Sequence, residues 1–200
     1  MSDFNVTVDE TANQVQVNES AQTVLIQGLG VNNYNNYSLL LSQIGDKTVA
    51  NTVTETSLID GILGSATLPA DFLKAGKVIE FKVTGYHSSQ GNPTLRVKVK
   101  IGSTTVLDTG SVLSGNSTDA VIQLSAFITV RSIGTTGTVI GNGVYQELGT
   151  GTNIFPMLNK TVSTINTTIA NTMDITLQWG TASSNNTMTT TNLIIESRYL

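Results

Sequence analysis

Residues 64–109 decide the fold, and they read GSATLPADFLKAGKVIEFKVTGYHSSQGNPTLRVKVKIGSTTVLDT. Residues 78–86 and 94–101 alternate apolar and polar side chains, most strictly in the second run, where Leu95, Val97, Val99 and Ile101 share one face. The Gly-Asn-Pro sequence at 91–93, between the two runs, is typical of a turn. We therefore predict a β-hairpin that starts the main β domain after a turn at Leu68-Pro69.

The pattern continues on both sides of this hairpin. Residues 37–44 are apolar enough for a strand or a short helix, and periodicity does not decide between them. Residues 45–52 and 149–160 have the composition of connections. Further strands are predicted at 52–60, 61–67, 104–108, 120–133, 138–147, 165–170, 173–179 and 188–199. About eight to ten strands and almost no helix predict an all-β antiparallel fold, and long connections favour a jelly-roll sandwich over an up-and-down barrel.

The charge content is low for a chain of this size. Charged residues make up 12% of the 200 residues and the net charge is −4, whereas ordinary soluble domains carry about 25% charged residues. Subunit interfaces are depleted in charge at their centres. The composition therefore favours an oligomer, and the alternative is a monomer whose surface is coated with Thr and Asn.

Several classes of function do not fit this composition. The chain has no cysteine, so it can form neither a disulfide nor a thiolate metal site. It has no apolar run long enough to cross a membrane, and its N-terminus, MSDFNVTVDE, lacks the pattern of a secretory signal. We expect synthesis in a cytoplasm and no membrane insertion. Lys98 and Lys100 alternate with valines as one strand face rather than forming a basic patch, so we expect no nucleic-acid binding.

Residues 6–26 contain a nine-residue repeat. The units are VTVDETANQ at 6–14, VQVNESAQT at 15–23 and the partial unit VLI at 24–26. Each unit begins with a very short apolar strand followed by a polar bend. The apolar positions are Val6, Val8, Val15, Val17, Val24 and Ile26. Two interpretations are open: an elongated stem that wraps with copies of itself or attaches to another protein, or a hairpin that packs on the main domain. We set the stem at residues 1–51 and the head domain at 52–200.

The sequence offers no defensible catalytic or metal site. His87 is the one histidine and precedes Ser88 and Ser89, but a Ser-His-acid relay needs a geometry that adjacency does not supply. We interpret it as a loop histidine without a catalytic role. The acidic residues are scattered singly, and no Asp-x-Asp calcium loop is present. We therefore expect no enzyme activity, no metal and no cofactor.

Three aromatic residues are candidates for ligand contact. Trp179 ends a predicted strand, and Tyr34 and Tyr37 lie in or beside an Asn-rich loop. An exposed ring beside amides can hold a sugar by stacking and hydrogen bonds. A ring at a strand end more often packs against the rim of the core, and we favour that interpretation.

Three segments together resemble a known module. Residues 64–110, AFITVRSIGTTGTVIGNGVYQE at 126–147 and NTMDITLQWGTASSNNTMTTTNLIIES at 171–197 resemble a module of phage and other virus structural proteins. In that module a Leu-Pro-Ala-x-Phe turn precedes Gly-Lys and a strand, and a final pair of strands closes the domain. The resemblance covers residues 58–197 and is one of turns and apolar positions.

The resemblance implies a fold and a function. The fold is an antiparallel jelly-roll (TNF-like) sandwich, the head domain of a fibre, spike or minor structural protein that forms homotrimers. The nine-residue repeat looks like the N-terminal stems that attach such fibres to capsid or tail proteins. The predicted function is a virion structural protein, a head fibre, spike or capsid decoration protein, located in the virion and contacting host surface glycans. A stand-alone carbohydrate-binding or adhesin module is the alternative, and a hydrolase is the third.

Overall fold

The computed structural model describes residues 7–9, 14–16, 37–149 and 151–198. All its regular elements are β-strands, and every strand pairing is antiparallel, which confirms the predicted all-β class. The contacts divide the chain into two units, Met1–Asn33 and Tyr34–Leu200. The described residues include no helix that is long and apolar enough to cross a membrane.

The first unit contains a short strand pair. β1 (Thr7–Asp9) and β2 (Gln14–Gln16) are antiparallel, and Val8 lies opposite Val15. These two valines belong to consecutive copies of the nine-residue repeat, so each described copy contributes one short strand. The other predicted stem residues, Val6, Val17, Val24 and Ile26, lie outside the described residues.

The described part of the second unit contains fifteen strands in two sheets. They are β3 (Tyr37–Gln43), β4 (Lys47–Ala50), β5 (Thr56–Ser57), β6 (Ile62–Gly64), β7 (Thr67–Leu68), β8 (Val78–Ser89), β9 (Thr94–Ile101), β10 (Thr104–Asp108), β11 (Val112–Leu113), β12 (Ser117–Ser132), β13 (Gly137–Leu148), β14 (Thr152–Leu158), β15 (Ser163–Ile165), β16 (Asn171–Trp179) and β17 (Thr187–Arg198). The large sheet has the order β14-β13-β12-β8-β17-β3-β6, with β15 on β13 and β4 on β17. The small sheet has the order β10-β9-β16-β5, with β11 on β9 and β7 on β16.

The core lies between the two sheets. Both strands of the opening stretch contribute alternate residues to it, with Ile79, Phe81 and Val83 from β8 in the large sheet and Leu95 and Val97 from β9 in the small sheet. All are at most 2% exposed. Full burial of such a side chain stabilises the fold by about 1.5–3 kcal/mol, so this apolar layer is the main reason that the sheets stay together.

The predicted hairpin at 78–101 is wrong, although both of its strands are present. β8 pairs with β12 and β17, whereas β9 pairs with β10 and β16. The turn between them carries the chain from one sheet to the other. An alternating pattern specifies which face of a strand is buried but not which strand pairs with it, and here the two apolar faces meet across the core.

Two other predictions about elements need correction. β3 and β4 both pair with β17, so residues 37–50 are part of the sandwich, and the predicted division at residue 51 falls too late. The predicted loop at 149–160 contains β14, which pairs with β13 along its full length. The sequence did not predict this strand because it contains Pro156, and proline cannot donate a hydrogen bond to a sheet. An edge strand tolerates proline. At 165–170 the structure has only the end of β15.

Candidate functional site

The three aromatic candidates do not form a described surface site. Trp179 is the last residue of β16 and is 1% exposed, with its ring in the core. It therefore offers no surface for stacking on a sugar. Tyr37 begins β3, but its side chain lies outside the described part, as does Tyr34 altogether.

His87 lies in a buried polar cluster and not in a loop. It is an inward-facing residue of β8, opposite Ala120 of β12 and Met188 of β17, and it is 1% exposed. Ser114 Oγ is 3.4 Å from its Nδ1, and Ser117 Oγ is 3.2 Å from its Nε2. The sequence suggested a loop because residues 88–93 are turn formers, but β8 continues through Ser89.

Neither serine of this cluster is placed as the accessible nucleophile of a relay. In such a relay the hydroxyl and the carboxylate sit at opposite nitrogens of the imidazole. Here Glu147 Oε2 is 3.9 Å from Nε2, the nitrogen that Ser117 also faces. The hydroxyl at the other nitrogen belongs to Ser114, which is completely buried. The cluster therefore links β8, β13 and the β11–β12 connection as a packed polar network.

Burial favours the neutral forms of His87 and Tyr145. It lowers the pKa of His87, opposed in part by the carboxylate of Glu147. It also raises the pKa of Tyr145 well above its ordinary value, and the neighbouring Glu147 adds to that rise. Glu147 accepts hydrogen bonds from Tyr145 Oη and Asn153 Nδ2, both at 3.2 Å, so its buried carboxylate is solvated by the protein. Among the described residues no group of three or more acidic residues, His or Cys is arranged to hold a metal ion.

The outer face of the small sheet is charged and polar. Glu55 precedes β5 and forms ion pairs with Lys98 and Lys100 of β9, and it accepts a hydrogen bond from Thr176 Oγ1 at 2.9 Å. These contacts, chiefly the one with Lys98, lower the pKa of Glu55 to about 2. Arg96 pairs with Asp108 across the β9–β10 hairpin. In the described strands of the small sheet, Leu113 of β11 is the one large apolar side chain that is exposed.

The outer face of the large sheet is different. It carries exposed large apolar side chains from four of its strands, β3, β8, β12 and β14: Leu39, Tyr86, Val121, Phe127, Ile154 and Leu158. The strand register places them on one side of the sheet, because directly paired residues form one continuous row from β14 to β3. In order across the sheet, this row contains Leu158, Asn142, Phe127, Glu80, Glu196 and Leu39. A second row brings Val121 beside Tyr86. We call this surface the large outer face.

The charges on the large outer face compensate one another. Glu80 is only 3% exposed although it points outward, and it pairs with Arg198 and Lys82. Lys82 Nζ also lies 3.4 Å from Glu196 Oε2. Glu80 and Glu196 lie directly opposite each other on β8 and β17, where two unpaired carboxylates would repel. The two cations cancel this repulsion, and the four charges sum to zero.

Sequence reasoning did not identify the large outer face, although its signal was present. In β12 the inward residues are apolar, but so are the outward Val121 and Phe127. In β14 the outward Ile154, Pro156 and Leu158 alternate with a buried Met157. Apolar residues on both faces of a strand are typical of a sheet that is covered on both sides.

No family model matches the chain, and no curated protein matches it significantly.

Proposed function

We propose that this chain is a virion structural protein, a head fibre, spike or capsid decoration protein, that assembles as a homotrimer through the large outer face. The viral assignment is supported by the resemblance of residues 58–197 to modules of virus structural proteins. The jelly-roll (TNF-like) arrangement proposed for the head is compatible with two antiparallel sheets joined by crossings such as the β8–β9 turn.

The observation that carries the assembly proposal is the contrast between the two outer faces. The small sheet turns ion pairs outward, whereas the large sheet turns apolar side chains outward around a neutral group of charges. Exposed apolar side chains that gather on one face, with polar residues among and around them, often mark an interaction site. Interface centres combine apolar and aromatic residues with few uncompensated charges. The large outer face has this composition, and a second copy of the chain is the partner that we assign to it.

The dimensions of the face are sufficient for such a contact. Five spacings of about 4.8 Å between β14 and β3 give a width of about 24 Å, and eight residues of strand extend about 27 Å. The face therefore offers on the order of 650 Å² per subunit, close to the roughly 800 Å² per partner of a standard interface.

The N-terminal repeat would attach the protein to the particle. Its apolar residues recur in each copy, and Val8 and Val15 form a cross-strand pair. Two short strands bury little apolar surface by themselves, so a capsid or tail protein that covers their apolar side would stabilise them. Mass spectrometry of purified particles tests the viral assignment: the chain should be present at a fixed copy number, and its absence would contradict the assignment.

A matched pair of substitutions tests the assembly face. Leu158 on β14 of the large sheet is 67% exposed, and Leu113 on β11 of the small sheet is 65% exposed. Leu158→Lys should reduce the mass in solution towards that of the monomer, because it places a charge in the interface. Leu113→Lys adds the same charge at equal exposure and should leave the mass unchanged. Equal behaviour of the two variants would contradict the proposed face.

A second function, a stand-alone carbohydrate-binding or adhesin module, has one observation in its favour. That observation is not Trp179, whose ring is buried, but a groove lined by hydroxyl and amide side chains at one end of the sandwich.

A further inference from the structure

Two adjoining cavities open at one end of the sandwich, and we call them together the end groove. The larger has a volume of about 730 Å³ and the smaller about 230 Å³, and Asn116 and Ser117 line both. The larger cavity lies among the turn after β8, the β11–β12 connection and the loop before β17. Every residue that lines it is Ser, Thr, Asn or Gln. Its volume falls within the range of about 300–1,000 Å³ that small-ligand sites occupy.

The groove is built on an irregular part of β12. A β-bulge shifts the register between Ser117 and Ala120, and Asp119 within it has a positive φ of 49°. Ser88 holds Asp119 in this conformation, because Ser88 Oγ donates to Asp119 Oδ1 at 3.2 Å and accepts from Asp119 N at 3.0 Å. Bulges and left-handed residues other than glycine concentrate at binding sites, where the surrounding structure must hold them in place.

Hydrogen bonds within the protein determine which amide atoms face a ligand. Asn116 Oδ1 accepts from the backbone N–H groups of Gly91 and Asn92 at 2.7 and 3.1 Å, so its Nδ2 is the end that remains as a donor. Asn185 Nδ2 donates to Gln90 Oε1 at 2.6 Å, which leaves Asn185 Oδ1 as an acceptor and Gln90 Nε2 as a donor. The groove thus presents fixed donors and acceptors of both kinds, together with hydroxyl groups that serve as either.

This arrangement selects for a ligand class. A saccharide hydroxyl donates and accepts at once, so it can satisfy a surface of mixed, uncharged donors and acceptors. An anionic ligand would lose hydration without gaining a counter-charge, since the side chains that line the larger cavity are all neutral and the neighbouring charge, on Asp119, is negative. In the smaller cavity the Glu147 carboxylate is 2% exposed and already bonded to Tyr145 and Asn153.

We infer that the end groove binds a neutral saccharide through the Asn116 and Gln90 amide donors and the Asn185 acceptor. The inference rests on the host-contact part of the proposed function and gives it a site. It does not depend on the large outer face, so binding and assembly can succeed or fail separately.

The test uses the full chain and an immobilised panel of neutral oligosaccharides, with sialylated and sulfated forms as anionic comparisons. Calorimetric titration then measures the affinity for any neutral oligosaccharide that binds. Asn116→Asp is the informative variant, because the new carboxylate can still accept from Gly91 and Asn92 while the amide donor is replaced by a charge. Asn166→Asp is the matched control: Asn166 Oδ1 likewise accepts from the backbone N–H of Thr168 at 3.0 Å, but in the β15–β16 connection.

We expect binding to a neutral oligosaccharide that Asn116→Asp weakens at least tenfold and Asn166→Asp leaves unchanged. Gln90→Glu should weaken it as well, which keeps the test decisive if Asn116→Asp does not fold. The inference is overturned if no neutral oligosaccharide binds at millimolar concentration, if only anionic ones bind, or if the groove variants bind as the native chain does. Sedimentation of the same samples reports assembly independently, so the two proposals are judged apart.

Discussion

At the scale of single residues, close approach of the backbone constrains the centre of the large sheet. Gly85 lies on β8 between Ile122 of β12 and Thr190 of β17. A Cβ atom added there would lie 2.0 Å from the carbonyl oxygen of Thr189 and 2.9 Å from Thr190 Cα. Both are backbone atoms beside the β17 bulge between Thr190 and Asn192, so no side-chain rotation relieves the clash.

Gly85→Ala should therefore lower the free energy of unfolding by about 3 kcal/mol, the upper end of the usual overpacking cost. Gly45→Ala is the control, since nothing lies within 4 Å of its added Cβ, and its effect should stay within about 0.5 kcal/mol. Urea denaturation of both variants checks the prediction. A Gly85→Ala variant as stable as the native chain would show that the sheet is looser than described.

His87 makes stability depend on pH. Its pKa in the folded chain lies below the ordinary value of 6.5 because burial disfavours the imidazolium, so the unfolded chain binds more protons as the pH falls through 6.5. The contribution of His87 to the free energy of unfolding is therefore fully present above pH 6.5 and is lost as the pH falls below that value. The free energy of unfolding, measured from pH 7.5 to 5.5, should fall more steeply for the native chain than for His87→Gln. Parallel curves would mean that His87 is accessible to protons when folded.

At the scale of elements, β3 and β4 are integral to the large sheet. Leu41 and Val49 are at most 2% exposed, and both strands pair with β17. The chain 34–200 should unfold cooperatively with nearly native stability, whereas the chain 52–200 loses both buried side chains, each contributing about 1.5–3 kcal/mol. Calorimetry should show a markedly lower melting temperature for 52–200 or no transition. Equal melting temperatures would instead favour a division at residue 51.

Glu55, which directly precedes the short strand β5, forms ion pairs with Lys98 and Lys100 of β9 and so stabilises β5 on the small sheet. Because the Glu55 side chain is 27% exposed, its loss in Glu55→Gln should cost only about 0.5–1 kcal/mol at pH 7. The pKa of about 2 lies below the ordinary 4.5, so this contribution is present above pH 4.5 and disappears as the pH falls towards 2. Denaturation at pH 7 and at pH 2.5 measures the difference, and a difference that is independent of pH would argue against the ion pairs.

Local sequence predicted these elements better than their partners. The alternation in 94–101 correctly gave the buried face of β9, since the side-chain period of a strand is a local property. The pairing of β8 with β12 and β17 depends on residues that are distant in sequence, which no local pattern reports. The sequence did not predict β14 because Pro156 and the neighbouring Gly149 and Gly151 are residues typical of a loop. The end groove escaped notice because its amides and hydroxyls come from three separate connections.

At the scale of the whole molecule, the low charge content has a spatial explanation. The ion pairs of Glu55, Arg96 and their partners lie on the small sheet, and the charges on the large outer face are paired among themselves. The second unit is therefore two-sided, with ion pairs on the small sheet and exposed apolar side chains on the large outer face. The end groove lies at the end of the sandwich, where a ligand could reach it while the large outer face is covered.

The mass of the native chain in solution tests self-assembly most directly. Sedimentation equilibrium over a hundredfold range of concentration should give three times the chain mass of 21.1 kDa, with the same value for Leu113→Lys and a lower one for Leu158→Lys. A native mass of 21.1 kDa at every concentration would contradict the account.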